Sequence, residues 1–232
     1  MIRVFESAAE AAQAAAAQIA KAAAAAIEAR GRARLALSGG RTPERAYRAL
    51  AAPPLRDRVE WTRVEVLFAD ERAVAPDDPD SNLRLVRETL LANLPAPGPR
   101  VVRMRADSSD PDEALAEYER ALATPLDLLL LGMGADGHTA SLFPGSALVR
   151  ECARRVAMVS DSLKPPARRM TILPRVIEEA RAVLVLVTGA DKSRAAARAL
   201  EGETDPADCP ARLARDRAWF LDREAAAGLA HV

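Results

Sequence analysis

Apolar and polar positions alternate along the chain in blocks that predict helices and strands in turn. Residues 7–30 are dominated by alanine, which predicts one long helix with Ser7 at its start and Gly31 at its end. Short apolar runs then recur at intervals. Strands are expected over residues 34–37, 64–68, 101–102, 126–131, 155–159, 170–173, 182–187 and 219–221, and further helices from Thr42 onward and over residues 81–94, 110–123 and 191–200.

This order of elements predicts an α/β fold. Strands separated by helices favour right-handed crossovers, so we expect a mostly parallel twisted sheet with helices on both faces, a Rossmann-like three-layer arrangement. The apolar run 126–131 lies between Pro125 and Gly132 and is typical of a central strand covered on both sides. No repeat or low-complexity linker divides the sequence, which predicts a single domain over residues 1–232.

The charge of the chain is balanced, with 33 basic and 33 acidic residues among 232. This balance gives no general attraction to nucleic acid or to an anionic membrane, so any anionic ligand is expected to be small and held locally. No apolar run approaches the roughly 20 residues that span a bilayer. Gln13, Gln18 and Lys21 interrupt the alanine-rich N-terminal segment, which is unlike a signal peptide. The sequence predicts a cytoplasmic protein.

The two cysteines give no sign of a metal site. Cys152 and Cys209 match no metal-ligand spacing, and a secreted disulfide framework normally contains more cysteines. Each is expected to be a buried or half-buried thiol. The sequence therefore predicts neither a bound metal nor a cofactor.

The first strand-to-helix loop that is a candidate for ligand binding is Ser38-Gly39-Gly40-Arg41-Thr42-Pro43. Sheets of the predicted kind bind ligands beyond the carboxyl ends of their strands. The glycines let a ligand approach the backbone, and Thr42 and Pro43 are expected to open a helix as cap and first helical residue. We interpret the loop as a phosphate cradle, although it lacks the spacing and lysine of a Walker motif and an ordinary tight turn is the alternative.

A second loop, Asp70-Glu71-Arg72, follows the strand at 64–68 and leads through a polar stretch to Ser81-Asn82. Three adjacent charges are costly to bury unpaired, so this loop is expected to face solvent or a polar cleft. An ordinary surface loop with a local ion pair is the alternative.

The third loop, residues 132–144, follows the predicted central strand and contains His138, one of two histidines. The other, His231, is next to the C-terminus, where disorder is more common than catalysis. A lone histidine is usually structural, but one placed among glycines at the end of a central strand is a candidate general base.

The fourth loop, Val187-Thr188-Gly189-Ala190-Asp191-Lys192, places a lysine in the first turn of a predicted helix. A lysine there opposes the helix dipole. The position is reasonable if Lys192 binds an anion shared with the first loop, and simple solvent exposure is the alternative.

Together these segments resemble the 6-phosphogluconolactonases, within the larger family that includes the glucosamine-6-phosphate isomerases and deaminases. The resemblance covers nearly the whole chain. It rests on the order of several motifs, namely residues 37–43, Asp70-Glu71-Arg72 with Ser81-Asn82, residues 132–144, Lys164-Pro165-Pro166 leading to Arg169-Met170-Thr171, and Val187-Thr188-Gly189 with Lys192.

The resemblance implies a role for each matching residue. His138 would be the base, and Asp136 would orient it. The resemblance leaves Arg168 and Arg169 as alternatives for one phosphate ligand, and spacing to Thr171 favours Arg169. The phosphate would be bound by Gly39, Gly40, Thr42, Arg169 and Lys192, and Ser38 would also contact the substrate. The sugar end of the cleft would be lined by Asp70, Arg72 and Asn82.

The reaction implied is hydrolysis of 6-phospho-D-glucono-1,5-lactone in the oxidative pentose phosphate pathway. We hypothesise that His138 takes a proton from water as it attacks the lactone carbonyl, and that Arg72 stabilises the oxyanion. No cofactor or metal is implied, and a monomer is expected.

Two other functions fit parts of the pattern. A glucosamine-6-phosphate isomerase or deaminase resembles this chain but carries a glutamate five residues after the histidine, where this sequence has Phe143. A non-catalytic sugar-phosphate sensor linked to DNA would need a DNA-binding module. Because the net charge is zero and no helix-turn-helix is expected before this domain, the sequence disfavours this function.

Overall fold

The computed structural model describes residues 1–160, 162 and 164–230. His231 lies outside the described residues, so its predicted lack of a role stays a prediction. The described residues contain ten strands, in chain order β1 (Ile2–Phe5), β2 (Ala33–Leu37), β3 (Val64–Phe68), β4 (Asp70–Arg72), β5 (Arg100–Val101), β6 (Leu128–Leu131), β7 (Val156–Val159), β8 (Arg169–Ile172), β9 (Val183–Val187) and β10 (Ala218–Asp222).

Seven of these strands form the expected parallel sheet, in the order β1-β10-β9-β6-β2-β3-β5. The strand predicted to be central, β6, is the fourth of the seven, and all four of its leucines are buried. The helices that cover the sheet are α1 (Ala8–Arg30), α2 (Arg41–Leu50), α3 (Asn82–Thr89), α4 (Pro111–Ala121), α5 (Pro174–Glu179), α6 (Ser193–Leu200) and α7 (Arg223–Ala226). The predicted α/β class with a mostly parallel sheet is confirmed.

The long alanine-rich helix forms as predicted, with the Ser7 hydroxyl accepting the Glu10 amide and Gly31 in the left-handed conformation at its end. Alanine and isoleucine residues three and four apart line its buried face, among them Ala12, Ala16 and Ile19. Small side chains let α1 pack closely on α2 and on the sheet. Within the described residues, the structure contains no helix that is both long and apolar enough to cross a membrane.

Several boundaries differ from the sequence prediction. Helix α2 begins at Arg41 with Gly40 as its cap, so Thr42 is inside the helix and does not cap it. The helix expected over residues 81–94 ends at Thr89, and a separate 3₁₀ turn covers Leu91–Asn93. Strand β1 was not predicted, because only its two last residues are half buried at the sheet edge and the run is short.

A second, antiparallel sheet of β4, β8 and β7 was also not predicted. The sequence prediction placed Asp70-Glu71-Arg72 in a loop, but these residues pair with β8, with Arg72 opposite Arg169. The prediction of a loop was wrong because the pairing partner lies about a hundred residues away along the chain, where local pattern carries no information. This small sheet brings two arginines next to each other at the mouth of the parallel sheet.

Candidate active site

A cleft of about 490 Å³ opens at the carboxyl ends of the central strands. The loops after β2, β3, β6 and β9 all reach it, as expected for parallel α/β sheets. Of the residues proposed from the sequence, those that line the cleft are Ser38, Gly39, Gly40, Thr42, Asp70, Arg72, Asn82, His138, Arg169 and Lys192. Asp136 contacts His138 from behind the cleft wall.

One end of the cleft is formed by the glycine loop and the first turn of α2. Gly40 has a φ of +105°, a conformation that favours glycine, and α2 begins at the next residue. The first backbone amides of a helix have no partner within the helix, so they are available to an anion. Gly39 is required for a different reason, because a Cβ atom there would lie 1.7 Å from Oδ1 of Asn82.

The loop after β9 joins the same end of the cleft. The hydroxyls of Thr42 and Thr188 lie 2.8 Å apart and link the two loops. Nζ of Lys192 is 2.9 Å from Asp191. Lys192 belongs to a 3₁₀ turn that directly precedes α6, so it lies just before the helix and not in its first turn.

Ser38 lies in the cleft wall, but its hydroxyl is already used. It donates to the carbonyl of Leu130, 2.8 Å away, and the residue is buried. Tyr47 in turn donates to the Ser38 carbonyl. These bonds hold the end of β2 against β6 and fix the start of the glycine loop.

The opposite wall of the cleft contains a buried polar network around Asp70. The Asp70 carboxylate accepts the Ser141 hydroxyl at 2.6 Å and the Asn82 side-chain amide at 3.1 Å. Asn82 Oδ1 accepts Nη1 of Arg72 at 2.7 Å, and this nitrogen also donates to the Asp80 carbonyl. The network fixes the Arg72 guanidinium at the edge of the cleft.

Glu71 stabilises the same region from the side away from the cleft. Its carboxylate accepts the backbone amides of Arg72, Asn82 and Leu83, each at 2.8 Å, and the Ser81 hydroxyl at 3.1 Å. Burial raises the pKa of Glu71, and these backbone hydrogen bonds oppose that effect. The residue caps the entry into α3 and so fixes the backbone at Asn82.

His138 and Asp136 form a hydrogen-bonded pair in which His138 lines the cleft and Asp136 lies behind it. Nδ1 of His138 lies 2.6 Å from Oδ1 of Asp136. A Cβ atom at Gly134 would lie 2.1 Å from the same Nδ1, so only glycine leaves room for the pair. Partial burial acts to raise the pKa of Asp136, but the hydrogen bond and charge of His138, together with Lys164, hold it well below its usual range. An ionised carboxylate at this distance requires Nδ1 to donate, which leaves Nε2 as the basic atom.

Lys164 reaches the same pair from the proline-containing loop. Its Nζ lies 3.2 Å from Oδ2 of Asp136 and 3.2 Å from Nδ1 of His138. The motif Lys164-Pro165-Pro166 is evident in the sequence, but no role for the lysine followed from it. The signal available was its rarity, since it is one of three lysines in the chain.

Arg169 faces the cleft, whereas Arg168 is exposed beside a separate hollow lined by Ala73 and Val74. Nε of Arg169 donates to the Pro166 carbonyl at 3.0 Å, and Nη2 donates to the Lys164 carbonyl at 3.0 Å. These bonds tie the guanidinium to the proline loop. Burial lowers the pKa of Arg169, and the Asp70 carboxylate acts in the opposite direction.

A family model described as glucosamine-6-phosphate isomerases/6-phosphogluconolactonase matches residues 6–221. The chain belongs to this family. It is 40% identical over 220 residues to the 6-phosphogluconolactonase of Mycobacterium tuberculosis, and the match covers 88% of each chain. It is 39% identical over 236 residues to the 6-phosphogluconolactonase of Streptomyces coelicolor, which covers 94% of this chain and 90% of the relative.

The fold is also similar to a solved structure of 6-phosphogluconolactonase from Trypanosoma brucei. The TM-score is 0.82 at 31% sequence identity, and the similarity covers 99% of this chain and 98% of that chain. The family assignment and the predicted resemblance are therefore confirmed.

Phe143 is the position at which the sequence resemblance separated the two kinds of enzyme in this family. Its side chain is buried, and its ring packs on the His138 imidazole with centroids 4.8 Å apart. Ala140, three residues earlier, has a φ of +48°, which is uncommon for a residue with a side chain. This local turn brings Phe143 back onto the histidine.

Several residues of the cleft networks were given no role from the sequence. Ser141 and Thr188 lie in two of the loops singled out there, and they contribute hydroxyls to the networks already described. Asp222 is the last residue of β10 and accepts the Gly189 amide at 3.0 Å, so it holds the loop that carries Lys192. Short polar residues of this kind are common in any sequence, and only their positions in the fold distinguish them.

The described residues contain no group of three or more histidine, cysteine, aspartate and glutamate side chains that could hold a metal ion. Of the two cysteines, Cys209 is buried below Gly137, and Cys152 is exposed. The expectation that both thiols are buried or half buried was wrong for Cys152, which lies in an irregular segment before β7.

Proposed function

We propose that this protein hydrolyses 6-phospho-D-glucono-1,5-lactone to 6-phospho-D-gluconate. The observation that carries the proposal is the Asp136–His138 pair, which presents one basic imidazole nitrogen to a cleft that also contains an anion-binding helix start. A hydrolase of this kind needs a base, a site for developing negative charge and a clamp for the substrate. Each of these has candidate residues in the cleft.

The phosphate of the substrate would bind at the glycine loop. Gly39 and Gly40 allow close approach, the first amides of α2 donate hydrogen bonds, and Lys192 supplies a positive charge. Binding a phosphate far from the reacting carbon would position the lactone without any phosphate chemistry. The ion pair of Lys192 with Asp191 would then be exchanged for one with the phosphate.

The chemical step would begin with a water molecule between His138 and the lactone carbonyl carbon. Nε2 of His138 accepts a proton from this water while the water oxygen bonds to the carbonyl carbon. Negative charge then develops on the carbonyl oxygen. Arg72 is proposed to stabilise that charge from the edge of the cleft. When the bond from this carbon to the ring oxygen breaks, the imidazolium returns its proton to the ring oxygen, and the new carboxyl group loses its proton to solvent.

The isomerase reaction is the competing function within the family. It requires a carboxylate that supports the histidine in ring opening, at the position five residues after it. Phe143 occupies that position here, and a phenyl ring can neither accept a proton nor form a hydrogen bond to the imidazole. The histidine pairs instead with Asp136, on the N-terminal side of the loop.

The protein is further proposed to act as a monomer on a small phosphosugar lactone. All the residues assigned to the base, the phosphate and the sugar come from one chain. Size-exclusion chromatography with light scattering should give a mass close to 24.8 kDa, and activity should not change with protein concentration. A stable dimer would contradict the monomer assignment.

The proposed reaction is tested by supplying the purified protein with the lactone and, in parallel, with glucosamine 6-phosphate. We expect 6-phosphogluconate to appear faster than in the enzyme-free control, and no ammonia to be released from the amino sugar. Turnover of the amino sugar without acceleration of lactone loss would assign the protein to the isomerase reaction. Tight binding of both compounds without turnover would favour a sensor.

A further inference from the structure

We propose that Lys164 is a positioning residue for the reaction, which holds the Asp136 carboxylate so that Nδ1 of His138 keeps its proton and Nε2 faces the water. This inference rests on the proposed lactone hydrolysis. It adds a third member, contributed by a separate loop, to the Asp136–His138 pair.

The hydrogen bonds of Asp136 divide between its two oxygens. Oδ1 is 2.6 Å from Nδ1 of His138 and 3.3 Å from the His138 backbone amide. Oδ2 is 3.2 Å from Nζ of Lys164. Each oxygen thus has its own cationic or polar donor, and the carboxylate cannot rotate without breaking one of these contacts. Lys164 therefore fixes the plane of the group that orients the imidazole.

The second contact of Lys164, with the His138 ring, is not a hydrogen bond. Its Nζ is also 3.2 Å from Nδ1 of His138, but Nδ1 already donates to Asp136 and cannot accept from the ammonium group. The contact instead places a positive charge beside the ring. A positive charge at this distance opposes the addition of a second positive charge to the ring. After the base has taken a proton, the same charge favours its transfer to the leaving ring oxygen.

The main chain around Lys164 is held in place by the fold. The Ser162 hydroxyl accepts the Lys164 amide at 3.1 Å. The carbonyls of Lys164, Pro165 and Pro166 all accept hydrogen bonds from Arg169, at 3.0, 3.3 and 3.0 Å. Two consecutive prolines further restrict the backbone. Arg169 therefore anchors the segment that presents Lys164, in addition to any contact it makes with phosphate through Nη1.

The ion pair between Lys164 and Asp136 is too exposed to contribute much to the stability of the fold. The Lys164 side chain is 44% exposed and that of Asp136 is 37% exposed. Ion pairs exposed to this degree contribute little to stability. The charged groups that contact the imidazole within the described residues are Asp136 and Lys164, and Arg169 lies near the Phe143 ring, with Cζ 5.6 Å from its centroid. Removing Lys164 should therefore change the tautomer and orientation of the His138 imidazole while leaving the fold intact.

The test compares Lys164→Met and Lys164→Arg with Lys21→Met, which removes an exposed lysine of α1 as a matched control. Nitrogen-15 NMR of the imidazole reports which ring nitrogen carries the proton, and the His138 signals are identified by their absence from His138→Ala. In the wild type we expect the proton on Nδ1. In Lys164→Met we expect a mixture of the two tautomers, and in Lys164→Arg a return to the wild-type form.

Kinetics on the lactone provide an independent readout. Lys164→Met should lower kcat about 10-fold with a smaller change in KM, and the acid limb of its pH–rate profile should move to higher pH. Lys164→Arg should recover most of kcat, and Lys21→Met should match the wild type. Circular dichroism and thermal melts establish that each variant is folded.

A Lys164→Met variant with the wild-type tautomer and pH–rate profile would overturn the proposal, as would a rise in KM alone, which would make Lys164 only a substrate contact. Failure of the wild type to accelerate lactone hydrolysis would overturn the proposed function. The NMR comparison would still decide whether Lys164 sets the tautomer, so the two failures are distinguishable.

Discussion

The ring of Phe143 packs against the imidazole of His138, with centroids 4.8 Å apart and ring planes inclined by 38°. Cζ of Arg169 lies 5.6 Å from the centroid of the same Phe143 ring. An apolar side chain thus touches both a candidate base and a buried cation. Asp136 holds only one atom of the imidazole, and the packed phenyl ring restricts tilting of the remainder.

Replacing Phe143 with leucine should therefore reduce turnover more than binding. We expect kcat to fall about 3- to 10-fold because the imidazole becomes less well oriented, with a loss of roughly 1 kcal/mol in stability from changed packing. Steady-state kinetics and thermal melts measure both quantities. Phe5→Leu is the matched control, since it removes an aromatic contact with Phe220 outside the cleft, and its kcat should not change. Equal effects of the two substitutions on kcat would contradict an orienting role for Phe143.

Gly39→Ala should disrupt the sugar end and the phosphate end of the cleft together. The added Cβ would lie 1.7 Å from Oδ1 of Asn82, the atom that accepts Arg72. We expect kcat/KM to fall at least about 100-fold, since two substrate-contacting walls must move. Gly98→Ala adds the same methyl group where no atom lies within 4 Å, and it should behave as wild type. Near-normal activity of Gly39→Ala would show that the observed positions of Asn82 and Arg72 are not needed for the reaction.

Asp222 is expected to act on phosphate binding through the loop that it holds. Its carboxylate accepts the amides of Gly189 and Ala225, so it caps α7 and fixes the turn before Lys192. Asp222→Ala should raise KM about 10-fold with little change in kcat, in addition to the roughly 1 kcal/mol that a lost helix cap costs.

Asp110→Ala is the matched control for this effect. Asp110 caps α4 through the Glu113 amide, and it is not among the residues that line the cleft. It should lose similar stability without a change in KM. A rise in KM in both variants would mean that general destabilisation, and not the Gly189 turn, accounts for the effect.

The pH dependence of stability should reveal the hydrogen bond between Asp136 and His138. Burial acts to raise the pKa of Asp136, but this bond holds it well below its usual range in the folded protein. The bond therefore contributes stability above the unfolded pKa of about 3.9, and the contribution is lost as pH falls through the folded value. The Tm difference between wild type and Asp136→Asn should shrink below about pH 4. Differential scanning calorimetry would contradict the assignment if the difference grew as pH fell below about 4.

Much of the parallel sheet could be predicted because its strands are short apolar runs separated by helix-forming residues. The glycine loop, His138 and Lys192 could be located for the same reason, since ligand-binding loops follow strands at one edge of such a sheet. Asp136 could be assigned to the histidine because it is two residues away, and Arg169 could be preferred over Arg168 by its spacing to Thr171.

The rest depends on contacts between distant segments. The pairing of Arg72 with Arg169 and the bond from Ser141 to Asp70 join residues far apart in the chain, and no local pattern encodes them. Lys164 approaches His138 only because Arg169 holds the proline loop beside it. The helix α2 starts one residue before Thr42 because Gly40, with a φ of +105°, occupies the cap position without contributing a side chain.

The most direct test of the account is the decay rate of freshly prepared 6-phosphogluconolactone with the wild type and with His138→Ala, each measured above the spontaneous background. The account predicts rapid lactone loss with the wild type and a reduction of at least about 100-fold in the variant, because the general base is removed. Full activity in a folded His138→Ala variant, or no acceleration by the wild type, would contradict it.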